Sequence, residues 1–274
     1  MKQHQSVRRR GGIECFHASL SVMAQLAAAL ILPGMGARMA AASAATAKDA
    51  VPQATTSNPT LDQVLEKYVQ ALGGKAVVEK LTSRIMKGAV ENPATGETGS
   101  IEVYKKAPNK EVSTLNMPSF GLSTRGYNGS VGWTFDPDSG PGDMSASDLA
   151  AMKLESDLHR EIRLKELFPD MALAGTTKVG DADAYVVNAP QPGGTEKLYF
   201  DTRSGLLVRD DVPAATEGGN TTIQSVFEDY RDVNGVKLPF TVRQTSPDFD
   251  LVIKYTDIKH DVPIEDSKFE KPKS

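Results

Sequence analysis

After Leu81 the apolar residues stop recurring every three to four positions and begin to alternate with polar ones, and with one interruption they do so almost to the C-terminus. A period of 2 marks half-buried strands. It predicts strands at 83–91, 97–106, 110–116, 122–128 and 130–135, then at 172–179, 183–189, 195–201, 206–212, 221–232, 236–246 and 249–260. Turn-forming pairs separate them: Asn92-Pro93, Pro108-Asn109, Asn128-Gly129, Gly193-Gly194, Ser204-Gly205, Asn234-Gly235 and Pro247-Asp248. Strands joined by such short turns must be antiparallel neighbours. The last two alternate most cleanly, with Val236, Leu238, Phe240 and Val242 on one face and Phe249, Leu251, Ile253 and Tyr255 continuing it. A long meander with one apolar face has to curl on itself or be covered.

Two helical segments supply a cover. Thr60 is placed to cap a helix in which Leu61, Val64, Leu65, Tyr68, Val69 and Leu72 share one face, and Gly73-Gly74 stops it. A short helical turn over 75–81 follows. The second segment, 145–168, interrupts the strands: Leu154, Leu158 and Ile162 stand at i, i+4 and i+8, Ser145 or Ser147 caps its start, and Asp148 suits its first turn. The stretch 136–144 before it (DPDSGPGDM) reads as a polar hinge, so 136–170 as a whole is expected to form a lid over the sheet. No repeat of solenoid period is present.

The N-terminus reads differently. Lys2 and Arg8 to Arg10 precede an apolar run, LSVMAQLAAALIL, and then the small-residue tract AAASAATA. That order matches a secretory signal peptide over 1–47, with cleavage after Ala44 or Ala47; an uncleaved N-terminal anchor is the alternative. The run is shorter than the ~20 residues of a membrane span. Cys15 precedes it, which does not fit a lipoprotein signal, and the residues around the three arginines fit twin-arginine export poorly. Residues 48–59 read as a flexible linker and 60–274 as one domain. The chain carries 31 basic and 35 acidic residues, a formal charge of -4, and offers no excess positive charge for a phosphate backbone. Its single cysteine cannot close an intrachain disulfide.

No catalytic or metal-binding motif emerges. His159 and His260 are the histidines beyond the signal segment; neither accompanies a G-x-S-x-G elbow or an H-E-x-x-H, and both read as solvated. Asp136, Asp138 and Asp143 alternate as in a calcium loop, but the twelfth position lacks its bidentate acid. Adjacent acids such as Asp210-Asp211 would point to opposite faces of a strand and read as a solvated, charged surface. The sequence therefore predicts no enzyme, no cofactor and no metal.

Several local patterns, in order along 61–272, carry a resemblance. They are Val103-Tyr104-Lys105-Lys106-Ala107-Pro108-Asn109, the hairpin from Tyr127 through Trp133 and Phe135 to Pro137, and Leu198-Tyr199-Phe200-Asp201 with Ser204-Gly205-Leu206-Leu207-Val208. Phe227-Glu228-Asp229-Tyr230 with Gly235-Val236-Lys237-Leu238-Pro239-Phe240, and the terminal Asp266-Ser267-Lys268-Phe269, complete the set. Together they resemble the LolA-like family, periplasmic carriers of outer-membrane lipoproteins, and its LppX-type relatives. The resemblance implies an α+β fold: a strongly curved antiparallel half-barrel with helices covering its concave apolar face. It also implies a monomeric periplasmic carrier for a lipid or lipoprotein acyl chain, with membrane proteins as transient donor and acceptor. The family's arginine before Pro-Asn, which latches the lid, is Ala107 here, with Lys106 beside it.

The residues expected near the ligand are Tyr127, Trp133 and Phe135 on the sheet and Leu154, Leu158 and Ile162 on the lid. The alternative reading is an envelope sensor or interaction scaffold on the same fold, its interior filled by its own side chains. An enzyme would need His159 or His260 inside the cavity beside an acid.

Overall fold

The computed structural model describes residues 58–273, apart from 120, 217 and 218. The signal-peptide segment and most of the linker lie outside the described residues. Helix α1 (Leu61–Leu72) begins with a capping box: the Gln63 amide donates to Thr60 Oγ1 at 3.3 Å, and the Thr60 amide donates to Gln63 Oε1 at 2.8 Å. Val64, Leu65, Tyr68 and Leu72 form its buried stripe, as the spacing predicts. Gly73 ends it at φ +122°, and a Cβ there would lie 1.9 Å from the Gly235 carbonyl oxygen. Only glycine allows that approach between the helix end and the sheet. The short helix α2 (Lys75–Val78) follows.

The strands form two successive meanders. The first comprises β1 (Ser83–Asn92), β2 (Glu97–Lys106), β3 (Lys110–Met117), β4 (Gly121–Tyr127), β5 (Gly132–Asp136) and β6 (Gly140–Asp143). The second comprises β7 (Ala172–Val179), β8 (Ala182–Gln191), β9 (Gly194–Asp201), β10 (Leu207–Thr216), β11 (Gly219–Val233), β12 (Val236–Ser246) and β13 (Phe249–His260). β1 pairs antiparallel with β13, so one sheet runs β6-β5-β4-β3-β2-β1-β13-β12-β11-β10-β9-β8-β7. β6 and β7 are its two edges, so the sheet is an open, curved half-barrel and not a closed barrel. A bulge at Lys87/Gly88 bends β1 against β13; there a Cβ on Gly88 would come within 2.4 Å of the Lys254 carbonyl oxygen.

All twelve predicted strands are present, and a thirteenth, β6, replaces the predicted hinge. Asp136 Oδ1 accepts from the amides of Asp138 and Ser139 at 2.8 and 3.0 Å and closes the β5–β6 turn. Its carboxylate serves the turn. The predicted single helix over 145–168 is also different. Helix α3 (Ala146–Glu155) is capped by Ser145, then the chain breaks into a 3-10 turn at Arg160–Ile162 and a short α4 (Leu164–Leu167). The break follows from Asp157, whose Oδ1 accepts from the His159 amide at 2.9 Å, a local bond that competes with the helical ladder.

These pieces run from one sheet edge to the other across the concave side. Leu164 and Phe168 pack with α1 on β8 and β9, whereas Leu158 packs with α2 on β12 and β13. At one end the two meanders meet directly, where Val90, Ile101, Leu115 and Met117 pack with Ala214, Ile223, Leu251 and Ile253. A separate cluster of Val112, Trp133 and Phe269 lies on the opposite, outer face.

A polarised cavity under the helical insertion

Between the insertion and the concave face lies a cavity of about 340 Å³, near the lower end of the ~300–1,000 Å³ typical of ligand sites. Strand alternation decides what lines it. On β1 the inward positions are Arg84 and Met86, with Val90 further on; on β2 they are Lys105, Val103 and Ile101; on β3 they are Glu111 and Ser113, with Leu115 and Met117 beyond. Arg84 lies opposite Lys105, and Lys105 opposite Glu111, so the charged ends of three strands coincide. The other wall adds Val212, Ile223, Phe227, Val242 and Ile253. One pole is therefore ionic, and the other is apolar.

The insertion supplies counter-charges to that ionic pole. Arg125 on β4 donates to Glu155 Oε2 at 2.6 Å and to Ser113 Oγ at 3.1 Å, and it lies 3.8 Å from Glu111. Lys105 pairs with Glu111 at 3.0 Å and donates to the Glu155 carbonyl oxygen at 2.6 Å. Arg84 donates to Glu161 Oε1 at 3.0 Å, and Arg160 donates to Glu196 Oε1 at 2.6 Å. Burial pushes the Glu155 carboxyl up despite Arg125. Burial also pushes on Glu161, but there Arg84 prevails and holds it below the usual carboxylate range. Asp210, on β10, has no guanidinium of its own, and burial together with Glu196 raises it to about 7.

The structure redistributes the six residues expected near the ligand. Leu154 lines the cavity. Leu158 and Ile162 lie beyond the helix break and pack on the α2 cluster instead. Trp133 is paired with Gly126 and faces outward with Phe135; it donates from Nε1 to the Phe269 carbonyl oxygen at 2.8 Å under the C-terminal segment. Tyr127 lies opposite Glu111 and so shares the concave face, but it does not line the cavity; it is buried, and its hydroxyl donates to the Gly129 carbonyl oxygen at 2.9 Å. Lys106 does not hold the insertion: it binds the Ile264 carbonyl oxygen and Asp266 at 2.7 and 2.8 Å. The first-meander cations that bond to the insertion are Lys105, Arg125 and Arg84.

Neither histidine is solvated in the way the sequence suggests. His260 is buried, accepts from Arg84 Nε at 3.2 Å, and is pushed down by burial and by Arg84. His159 is half-buried with Nε2 at 3.0 Å from the Leu81 carbonyl oxygen. Neither lines the cavity. Asp210 and Asp211 do point to opposite faces, but Asp210 lines the cavity, while Asp211 accepts from Tyr199 at 2.6 Å and from Arg209 on the other face. The one available signal for Asp210 is its register: it stands two residues before Val212 on the inward-facing side.

No protein-family model matches the chain, and no curated protein matches it. Solved structures do. A DUF1329 family protein from Desulfovibrio piger is 16% identical with a TM-score of 0.53, covering 78% of this chain and 98% of its own. A LolA superfamily protein from Nitrosomonas europaea is 14% identical with a TM-score of 0.51, covering 78% and 99%. An outer membrane lipoprotein-sorting protein domain from Vibrio parahaemolyticus, described as putative, is 10% identical with a TM-score of 0.48, covering 75% and 97%. The fold is LolA-like.

Proposed function

We propose that this protein is a periplasmic carrier that shelters the apolar part of a lipid or lipoprotein in the half-barrel cavity. The observation that carries the reading is the cavity itself, whose apolar pole is built from strands of both meanders. Burial of an acyl chain there contributes about 0.8 kcal/mol per methylene, so a short stretch of chain suffices for tight binding. The likeness of fold to a LolA superfamily protein and the signal-peptide pattern of residues 1–47 support the periplasmic setting. A carrier of this kind exchanges its cargo with membrane proteins, and it requires no chemical step. An interior filled by the protein's own side chains would favour a scaffold, and the open cavity argues for the carrier instead.

Native mass spectrometry of the exported protein, purified without detergent, tests this together with uptake of a fluorescent fatty acid. The expected result is a co-purifying lipid mass and saturable uptake, weakened at least about tenfold by Val103→Phe, which fills the apolar pole. A bare protein mass together with no uptake would remove the carrier reading.

A further inference from the structure

The ionic pole carries more hydrogen-bonding capacity than the protein itself uses. Arg84, Arg125, Arg160 and Lys105 line it with the carboxylates Glu111, Glu155, Glu161, Glu196 and Asp210; Arg125 and Lys105 are taken up by Glu155 and Glu111. Glu161 and Glu196 each take one guanidinium. Asp210 is left with a hydroxyl partner, Ser225, and no cation of its own. Among the described residues, five buried atoms of the lining make no hydrogen bond: Asp210 Oδ1, Glu161 Oε2, Arg84 Nη2, Arg160 Nε and Glu111 Oε2, the last of which lies 3.0 Å from Lys105 Nζ. Arg84 is only 5% exposed, so its free Nη2 cannot turn to bulk water.

Glu111 already has the Lys105 ammonium beside it, and of the other four atoms two are acceptors on carboxylates and two are donors on guanidiniums. Buried polar groups are nearly always satisfied, so a set of four around one cavity identifies where a polar group of a ligand enters. An anionic headgroup alone would answer the two donors but would leave the Asp210 and Glu161 oxygens unanswered and facing it. An ammonium alone would answer the acceptors and leave the guanidiniums unpaired. A headgroup with both charges answers all four. A primary ammonium carries N–H donors for Asp210 and Glu161; a quaternary ammonium carries none.

We infer that the cavity accepts an amphiphile with a zwitterionic, primary-ammonium headgroup, its ammonium held by Asp210 and Glu161 and its anion by Arg84 and Arg160. The inference rests on the carrier reading and names the class of cargo: the tail occupies the Ile101–Val103–Ile253 pole and the headgroup the ionic one.

Displacement of a bound fluorescent fatty acid by lysophospholipids of identical acyl chain, at pH 8 where Asp210 has given up its proton, tests it. The ethanolamine headgroup should outcompete both the glycerol and the choline headgroup by about tenfold or more, since charge-assisted hydrogen bonds are the strong ones. Asp210→Asn should collapse the ratio of ethanolamine to glycerol affinity towards one. Acetylating the ethanolamine nitrogen, tested on the unchanged protein, should remove the same preference without any variant having to fold. Equal affinity for every headgroup, or a preference for glycerol, would overturn the headgroup inference and leave the carrier reading intact. Failure to bind the fatty acid or any lysolipid would overturn both.

Discussion

Arg160 donates from Nη2 to Glu196 Oε1 at 2.6 Å, and this contact joins the helical insertion to the second meander. Two other residues of the insertion, Glu155 and Glu161, pair with Arg125 and Arg84 in the first meander. The insertion is thus tied to both halves of an open sheet across the concave side. Glu196 has a side chain only 4% exposed, so it depends on its cation. Arg160→Met should cost about 3–5 kcal/mol, because it leaves a buried carboxylate beside Asp210. The double variant Arg160→Met/Glu196→Met should recover most of that loss. Urea denaturation of the two variants decides the matter; equal losses would show that the pair is not the reason the insertion stays down.

Asp210 makes stability depend on pH in a direction opposite to most carboxylates. In the folded chain it keeps its proton up to about pH 7, under the influence of burial and Glu196, with Arg160 and Ser225 opposing and Asp211 adding to the shift. Unfolded, it releases the proton near about 3.9. The folded state therefore binds more protons across that window, and stability falls as the pH rises through it. Asp210→Asn removes the effect, so the variant should gain about 2–3 kcal/mol on the wild type between pH 5 and pH 8. Denaturation midpoints at the two pH values measure it, and parallel curves for the two proteins would refute it.

The repeating part of the fold was legible because its signals are local. Strand periodicity and turn pairs give twelve of thirteen strands, and the capping residue with its apolar stripe gives α1. β6 is illegible for the same reason: Gly-Pro-Gly-Asp has no strand propensity, and only pairing with β5 makes it extended. The helix break at Ser156–Asp157 turns on one side chain choosing a local amide. The site was less legible than the fold. Alternation shows that Glu111, Asp210 and Glu196 share a face with apolar neighbours, but whether that face is dry depends on the insertion lying over it. Trp133 was misplaced because period 2 separates two faces without saying which is concave.

Trp133 is the single tryptophan of the chain and reports on the outer face. Phe269 is fully buried against it and against Val112, although it comes from the C-terminal segment. Phe269→Ala should cost about 3–5 kcal/mol as a large-to-small change at a buried site. The loss of cover should also shift Trp133 fluorescence to longer wavelength and raise its quenching by acrylamide. Uptake of a fatty acid should stay within about twofold of the wild type, since this cluster faces away from the cavity. A loss of uptake without a fluorescence shift would contradict the assignment of Trp133 to the outer face.

Lys105 and Lys106 are neighbours on β2 with opposite duties. Lys106 binds the C-terminal segment through the Ile264 carbonyl oxygen and Asp266, and both charged groups of that pair are substantially exposed. Exposed pairs contribute about 0–1 kcal/mol, so Lys106→Gln should change little. Lys105 points to the other face and meets the Glu155 carbonyl oxygen, beside the Arg125–Glu155 pair. Arg125→Gln should therefore release the end of α3, and amide hydrogen exchange over Ala146–Glu155 should quicken by about tenfold or more, because the local opening there no longer breaks a buried ion pair. Exit of a bound fatty acid should quicken with it. If Lys106→Gln loosens Ala146–Glu155 as much as Arg125→Gln does, the insertion is held by something other than the charges beneath it.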